Sequence, residues 1–390
     1  MSLATLKYYK LGSFASKIGS GVTPKGGKES YLAAGIPLIR SQNVRENFLD
    51  ISDVVFINNQ QHEKMSGSVV RPNDVLLNIT GASIGRSCVV PESLSEANVN
   101  QHVCIIRCTN DLSPSFLSHF LNSTLGQKQI WSFQGGGSRE GLNYQQIASF
   151  EVPLFSRDQQ DAIAKTADQW GAAIVIAERL IDCKEEHVKW LFKELLPVNL
   201  YKNVSVSSFT TECSQRNLGA KCERVLSVTN QNGFVLPEDR FERRVASADL
   251  SNYKVVSRGQ YAYNPSRINV GSIARLDHWD QGVLSPMYVV FLLDEKKVDS
   301  DFFQHWLSSH EAKQRIRKSA QGSVRESVSF TDLGAIQFPL PLLDKQRKIA
   351  EILNAAKTEI DLLKKLAEGY RKQKRGLMQK LLTGQWRIKS

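Results

Sequence analysis

The sequence predicts a mixed α/β (α+β) chain of two tandem globular domains, each followed by a long helix. The two helices are expected to pair as an antiparallel coiled coil about a pseudo-twofold axis. Three observations predict this: an internal repeat that lays the first half of the chain on the second, a heptad seam at the end of each copy, and proline or glycine at the joints.

The repeat sets the domain count. In a single register that lays Phe116 on Phe302, the chain aligns on itself without a gap over a long stretch. Phe116–Ser123 (FLSHFLNS) falls on Phe302–Ser309 (FFQHWLSS), and Arg139-Glu140 falls on Arg325-Glu326. Phe150–Leu154 falls on Ile336–Leu340, and Asp158-Gln159-Gln160 on Asp344-Lys345-Gln346. Upstream, Asn78 falls on Asn264; with three residues inserted in the second copy, Ser83–Arg86 (SIGR) then falls on Ser272–Arg275 (SIAR). The first halves of the domains otherwise differ. One period this long means duplicated domains rather than a solenoid. The expected organisation is a first domain over 1–155, a central spacer helix over 156–199, a second domain over 200–341 and a C-terminal spacer helix over 342–390.

The first helix carries apolar residues at Ile163, Ala167, Trp170, Ile174, Ala177, Ile181, Val188, Leu191 and Leu195. The second carries Ile349, Leu353, Ala356, Ile360, Leu363, Ala367, Tyr370, Leu377 and Leu381. The steps alternate four and three, which is an a/d seam. Lys184 and Lys374 occupy seam positions, where they either fix the register or snorkel. Ser156–Gln159 has capping-box spacing just after Pro153. Pro197 stops the first helix, Pro339 and Pro341 precede the second, and Gly384 follows it. Gly369 and Gly376 argue against a perfectly straight second helix. Roughly 37 residues at about 1.5 Å each make a rod near 55 Å. Seams of equal length, each following its own domain, favour pairing within the chain. An antiparallel pair would set the domains at opposite ends of the rod, a geometry that matches the local twofold symmetry of duplex DNA.

Composition narrows the function classes. No run of 18 or more apolar residues is present, which excludes a membrane span, and Met1–Lys10 lacks the apolar core of a signal peptide. The six scattered cysteines form no C-x-x-C pair, so reduced, mostly buried thiols are expected and a zinc site is not. The net charge of +11 favours a nucleic-acid partner, but it is unevenly placed. Residues 1–155 carry +2, 156–199 carry −2, 200–341 carry +3 and 342–390 carry +8. DNA reading by the nearly neutral domains must therefore use local cationic faces. The basic run Arg371–Arg375 on the last helix is either a solvated face or a contact for phosphate or a partner.

A search for catalytic chemistry finds little. Tyr263-Asn264-Pro265-Ser266 is the nearest approach to an adenine-methyltransferase turn, but it lacks the final aromatic and reads as a structural turn. The chain has no P-loop and no H-E-x-x-H, and Gly135–Ser138 lacks the lysine of a phosphate cradle. His119 and His305 align with each other in Phe-rich helical segments and read as satisfied structural residues.

Several short stretches then converge on one family. They are Leu11-Gly12, Gly21-Val22-Thr23-Pro24, Gly35–Arg40 (GIPLIR), Gly81–Gly85 (GASIG), Asn100-Gln101, Val152-Pro153-Leu154 leading into Gln159-Gln160, and Lys374–Gly384 (KRGLMQKLLTG). Together with the duplicated layout they resemble the specificity subunits of type I restriction–modification systems over nearly the whole chain. The resemblance implies two target recognition domains, each reading one half of a bipartite, asymmetric double-stranded DNA site, with the helices as spacer. It also implies docking of two modification subunits, which methylate adenine with S-adenosylmethionine, and of two restriction motor-nuclease subunits using ATP and Mg. The chain itself is then non-catalytic, holds no cofactor, and works in a prokaryotic cytoplasm. The second domain departs from the pattern, because no Gly-x-Thr-Pro follows Phe209.

Base reading needs paired donors and acceptors, with Arg or Lys for guanine and Asn or Gln for adenine. Phosphate contact needs Lys, Arg, Ser, Thr or backbone amides, and glycine permits close approach. Three loop-like segments per domain offer these groups. The first is Arg40, Ser41, Gln42 and Asn43 with Arg45, against Thr229, Asn230 and Asn232. The second is Thr80, Ser83 and Arg86, against Asn264, Arg267, Asn269 and Arg275. The third is Gln134, Gly136, Ser138 and Arg139, against Gln321, Ser323 and Arg325. Glycine-rich segments also serve as plain turns, and the two Arg-Glu pairs either contact DNA or close internal ion pairs. Two other classes stay open: a fused DNA methyltransferase or nuclease with unrecognised motifs, and a coiled-coil scaffold.

Overall fold

The computed structural model describes residues 6–24, 26, 29, 31–134, 141–197, 200–236, 249–321 and 327–388. The chain divides into two compact units, Met1–Glu178 with Lys365–Ser390, and Arg179–Lys364. The division cuts both long helices in mid-length, so each unit holds one globular domain and half of each helix.

The first unit runs through β1 (Tyr8–Lys10), β2 (Ala15–Ser20), β3 (Ile36–Ile39), β4 (Val55–Ile57), α1 (Asn59–Lys64), β5 (Val69–Val70), β6 (Val75–Asn78) and β7 (Ser87–Val89). It continues with β8 (Ala97–Val99), β9 (Val103–Cys108), α2 (Pro114–Asn122), α3 (Thr124–Ser132), α4 (Tyr144–Ala148), β10 (Glu151–Pro153) and the start of α5 (Arg157–Leu195). The second unit holds β11 (Asn203–Ser205), β12 (Thr210–Cys213), β13 (Ser227–Thr229), β14 (Gly233–Val235), β15 (Lys254–Ser257), β16 (Tyr261–Tyr263) and β17 (Ile273–Arg275). Then come β18 (Gln281–Leu284), β19 (Val289–Leu293), α6 (Ser300–Ser308), α7 (His310–Gln321), α8 (Phe330–Ala335), β20 (Gln337–Pro339) and the start of α9 (Leu343–Leu382).

The duplication is visible in the sheets. The order β2-β9-β6-β7 in the first unit is matched by β12-β19-β16-β17 in the second, and β1-β10 by β11-β20. The rest differs. The first unit adds a sheet of order β4-β3-β8-β5, whereas the second has the pairs β13-β14 and β15-β18. The divergent first halves thus differ in fold detail as well as in sequence.

Strand register corrects one alignment. Val75 pairs with Val89 and Leu76 with Cys88; Tyr261 pairs with Arg275 and Ala262 with Ala274. The register that lays Phe116 on Phe302 therefore holds through this hairpin with no insertion: Val89 corresponds to Arg275, and Arg86 to Ser272. A three-residue slip is an odd number, so it would turn Arg275 to the opposite face of the sheet. The turn glycines agree, because Gly85 (φ 87°) and Gly271 (φ 98°) share the left-handed conformation. At β9 and β19 the match shifts by one residue, since Val75 also pairs with Ile106 and Tyr261 with Phe291, and a larger break lies further upstream. Tyr8 pairs with Pro153 and Asn203 with Pro339, so Asn203 takes the place of Tyr8, although the repeat would lay it on Lys17.

In each unit a layer of aromatic residues packs on the repeated sheet. Phe116, Phe120 and Phe150 meet Val75, Leu77 and Ile106 in the first unit. Phe302, Phe303, Trp306 and Phe338 meet Tyr261 and Phe291 in the second, with Trp306 and Phe338 edge-to-face at 4.9 Å. The first core also takes in Ile163, Ala164 and Ala167 from the start of α5 and Met378, Leu381 and Leu382 from the end of α9. The second takes in Ile349, Ala350 and Leu353 from the start of α9, with Val188, Leu191 and Leu195 from the end of α5 packed against it. Within each unit the helices therefore run antiparallel.

The helix boundaries follow their caps. Gln159 N–H donates to Ser156 Oγ and Ser156 N–H to Gln159 Oε1, both at 3.4 Å. Gly384 (φ 71°) ends α9, which runs unbroken through Gly369 and Gly376. The two seam lysines take different roles. Lys184 reaches across to Glu359 at 2.8 Å in the second unit, an ion pair open to solvent. Lys374 is tucked into a notch opposite Gly171, with Nζ 3.2 Å from where a Cβ on that glycine would stand, and burial lowers its pKa. Among the described residues no helix is long and apolar enough to cross a membrane.

A buried glutamine fastens each helix to its domain. Gln160 is fully buried; its Oε1 accepts from Ser113 N–H at 2.8 Å, and its Nε2 donates to the carbonyls of Asp111 and Phe155 at 2.9 and 3.0 Å. Gln346, its counterpart in the repeat, makes each bond again, with Asp299 N–H, Lys297 O and Pro341 O. A histidine adds a second tie in each unit: His119 Nε2 to Asp168 at 2.7 Å, and His305 Nε2 to Asn354 at 2.8 Å. Both histidines hold the structural place expected of them.

Candidate nucleic-acid interface

In the first unit the loops between the repeated strands meet along one rim. Asn100 N–H donates to Ile39 O, Gly21 N–H to Asn100 O, and Ile79 N–H to His102 O. Thr80 bridges Gly141, and Asn78 Nδ2 donates to Ser41 O at 2.8 Å and to Ser83 Oγ at 3.1 Å. Residues far apart in sequence are thus gathered around the turn Thr80–Arg86. Glycine permits the close approach: a Cβ on Gly21 would stand 1.6 Å from Val99 O. Gly81 (φ 75°) has open space where its Cβ would be.

The expected residues divide by what their side chains do. Ser41, Thr80, Ser83 and Arg86 lie on this rim. The Arg86 guanidinium has no hydrogen-bond or ion-pair partner among the described residues. Arg40 stands over the ring of Tyr31 at 5.8 Å and donates to Asp53 O at 3.0 Å. Gln42 is exposed and bonds Asp53, and Arg45 pairs with Asp50 at 3.7 Å. Asn43 is a correction. It is fully buried, with Oδ1 accepting from Arg40 N–H and Nδ2 donating to Asp50 O and Asp53 Oδ1, so it shapes the loop rather than facing a base.

In the second unit the same frame carries other groups. Asn230 and Asn232 are exposed at the β13–β14 turn. Thr229 is a correction: it is 9% exposed and its hydroxyl closes that turn, donating to Gly233 O and accepting from Asn232 N–H. Ser272 Oγ donates to Val228 O at 2.7 Å, tying this turn to the one that follows β16. There Asn264 Oδ1 accepts from Ser266 N–H, the structural turn that its sequence predicted. Arg267 is exposed with no partner among the described residues. Asn269 O accepts from Arg317 Nε at 3.4 Å, while the Asn269 side-chain oxygen is buried without a partner.

Arg275 is a further correction. Its side chain is 17% exposed and sits between Asp277 at 2.6 Å and Asp301 at 2.7 Å, with Ser300 Oγ at 2.9 Å. Burial opposes its charge, but Tyr261, Asp277 and Asp301 together raise its pKa. It is an internal cation of the fold. Gln134 lies at the end of the described stretch, with Nε2 buried and without a partner. Gly136, Ser138, Arg139, Ser323, Arg325 and the side chain of Gln321 lie outside the described residues. In the basic run, Arg371 pairs with Glu178 and Glu368, Arg375 with Glu368, and Lys374 fills the notch at Gly171. Much of that run therefore serves the helix pair itself.

Three rim residues had no place among the expected contacts. Thr23 Oγ1 donates to Gln101 Oε1, Gln101 Nε2 lies 2.9 Å from His102 Nε2, and His102 Nδ1 lies 2.6 Å from Thr80 Oγ1. The chain of bonds joins three separate loops, so spacing in the sequence does not reveal it. Among the described residues no cluster of three or more His, Cys, Asp or Glu is arranged to hold a metal ion.

Comparison with known proteins agrees with this layout. The model of the type I restriction modification DNA specificity domain matches residues 5–182 and 268–369. The stretch between them includes the divergent strands β13–β15 and β16. The putative type I restriction enzyme MjaX specificity subunit of Methanocaldococcus jannaschii is 22% identical over 406 residues, covering 96% of this chain and 92% of that protein. The MjaVIII specificity subunit of the same organism is 20% identical, covering 98% and 93%. The EcoBI specificity subunit of Escherichia coli is 30% identical over 138 residues, 35% of this chain and 28% of that one. The crystal structure of the type I restriction–modification S subunit from M. genitalium shares the fold at a TM-score of 0.57 and 14% identity, covering 98% of both chains. A chain from a study of complex assembly and conformational transition in the type I system does so at 0.60 and 14%, covering 98% and 99%. With the family model spanning well over half of its residues and the fold shared from end to end, this chain belongs to the type I restriction–modification DNA specificity family.

Proposed function

We propose that this chain reads a bipartite, asymmetric double-stranded DNA site, one half with each domain, as the non-catalytic subunit of a type I restriction–modification complex. One observation carries the reading. The same four-stranded sheet underlies the rim in both units, yet the loops around it display different polar side chains: Ser41, Thr80, Gln101 and Arg86 in one, Asn230, Asn232 and Arg267 in the other. A duplicated scaffold with divergent surface chemistry suits two different half-sites. Free guanidinium groups supply the phosphate attraction that nearly neutral domains otherwise lack.

The paired helices act as the spacer and as the dock for two adenine methyltransferase subunits and two motor-nuclease subunits. S-adenosylmethionine, ATP and Mg belong to those partners. The docking role is supported by large apolar side chains left exposed on the helices. These are Val175, Ile176 and Leu366 in the first unit, and Leu180, Trp190 and Leu362 in the second.

The test is a bandshift panel with each half-site scrambled in turn. Scrambling either half should cost affinity, and substitution of Arg267 should affect one half only. Equal binding to every duplex would overturn the reading. The purified chain should neither methylate nor cleave DNA when given S-adenosylmethionine, or ATP with Mg. Inserting four residues into both helices should lengthen the preferred gap between half-sites.

A further inference from the structure

We infer that the side-chain amide of Gln101 reads an adenine in the half-site of the first domain, held in orientation by Thr23 and His102. The inference rests on the DNA-reading function proposed above and deepens it.

An exposed glutamine amide can rotate by a half turn and exchange its donor and acceptor, which spoils it as a reader of bases. Gln101 is exposed, but it cannot exchange them on its own. The Thr23 hydroxyl donates to its Oε1. Its Nε2 lies 2.9 Å from His102 Nε2. An amide nitrogen can only donate, so His102 Nε2 accepts and the ring proton sits on Nδ1. From there it is donated to Thr80 Oγ1, 2.6 Å away. A half turn of the amide alone would set donor against donor and acceptor against acceptor, so it requires the Thr23 hydroxyl, the His102 ring proton and the Thr80 hydroxyl to reverse with it. Two bonds are used, which leaves one N–H and one oxygen lone pair of Gln101 uncommitted. A neighbouring donor and acceptor of that kind match adenine in the major groove, with the oxygen accepting from N6–H and the nitrogen donating to N7.

The position supports the assignment. Gln101 and His102 stand on the rim that carries Thr80, next to Asn100, which the backbone ties to Ile39 and Gly21. The residue of the second unit at this place is Pro286 by strand pairing and Met287 in the register that lays Phe116 on Phe302, and neither has a side-chain amide. An adenine contact made by Gln101 has no twin in the other half-site.

The test selects preferred sequences from randomised duplexes with the full chain assembled with its modification subunit. Gln101→Ala should relax a single adenine in one half-site by roughly 5- to 150-fold, leaving the other half unchanged. Gln101→Glu removes the donor but keeps the acceptor, so it should move that position toward cytosine, whose N4–H donates. Thr23→Val should loosen the same position and no other. Unchanged selection by Gln101→Ala, or a uniform loss of affinity at every position, would overturn the inference while leaving DNA reading intact. A wild-type complex that enriches no sequence would overturn both. Melting curves for each variant guard against misfolding, since Gln101 is a surface residue and its substitution should leave stability unchanged.

Discussion

Replacing the buried Gln160 by Met keeps the side-chain volume but removes its three hydrogen bonds. The most damaging loss is the Ser113 N–H, because Ser113 is 2% exposed and water cannot take the place of the amide oxygen. An unsatisfied buried donor costs about 1–3 kcal/mol. The two carbonyls left behind lie nearer to solvent and add about 0.5–1.5 kcal/mol each at most. The expected total is about 2–6 kcal/mol, a large share of the 5–15 kcal/mol typical of a domain. Urea unfolding of the full chain, with hydrogen exchange at the Ser113 amide, measures it. Gln346→Met should cost a similar amount in the second unit, through Asp299 N–H. A loss below about 1 kcal/mol would refute the reasoning, since it would mean that the amide only fills space. The consequence reaches function, because these glutamines hold each domain to the start of its helix and so set where its reading face points.

Three further outcomes follow from the same structure. Lys374→Met should stabilise the first unit by about 1 kcal/mol, since burial lowers the pKa of this lysine and a thioether fills the notch at Gly171 without a charge to desolvate; a lower urea midpoint would contradict this. Arg275→Ala should lower stability by about 3 kcal/mol, because Asp277 and Asp301 lose their shared cation, yet leave the selected DNA sequence unchanged, whereas Arg267→Ala should weaken DNA binding and leave the melting point in place. His305 has its pKa lowered from 6.5, chiefly by burial, with Lys357 and Arg275 acting in the same direction against Asn354 and Asp301. Its neutral form is favoured in the fold, so its contribution is complete above about pH 6.5 and is lost as pH falls through the lower folded value. Wild type should therefore lose more stability than His305→Gln between pH 7 and pH 5, and equal losses would refute it.

Local chemistry made much of the fold legible. Heptad spacing, the Ser156–Gln159 cap, Pro197 and Gly384 each act within a few residues of chain, so the helices follow from sequence alone. The repeat was legible because duplication preserves linear spacing, and the divergent first halves marked the place where the sheets differ. The contents of the rim were less so. Arg86, Arg267 and Arg275 look alike as residues in loop-like segments, yet Arg275 is claimed by two carboxylates, one of them Asp301, brought to it only by folding. Asn43 looked like an adenine reader until the loop closed on it.

What the sequence by itself determined is the duplicated domain–helix plan, because it is written in periodicities and caps that each segment carries alone. What only the tertiary structure decided is which polar side chains remain free to read DNA. Asp301 comes to Arg275, and Thr23 to Gln101, from distant parts of the chain, and Asn43 is enclosed by its own loop only once that loop folds. Side-chain hydrogen bonds depend on distance in space, and linear spacing does not encode it.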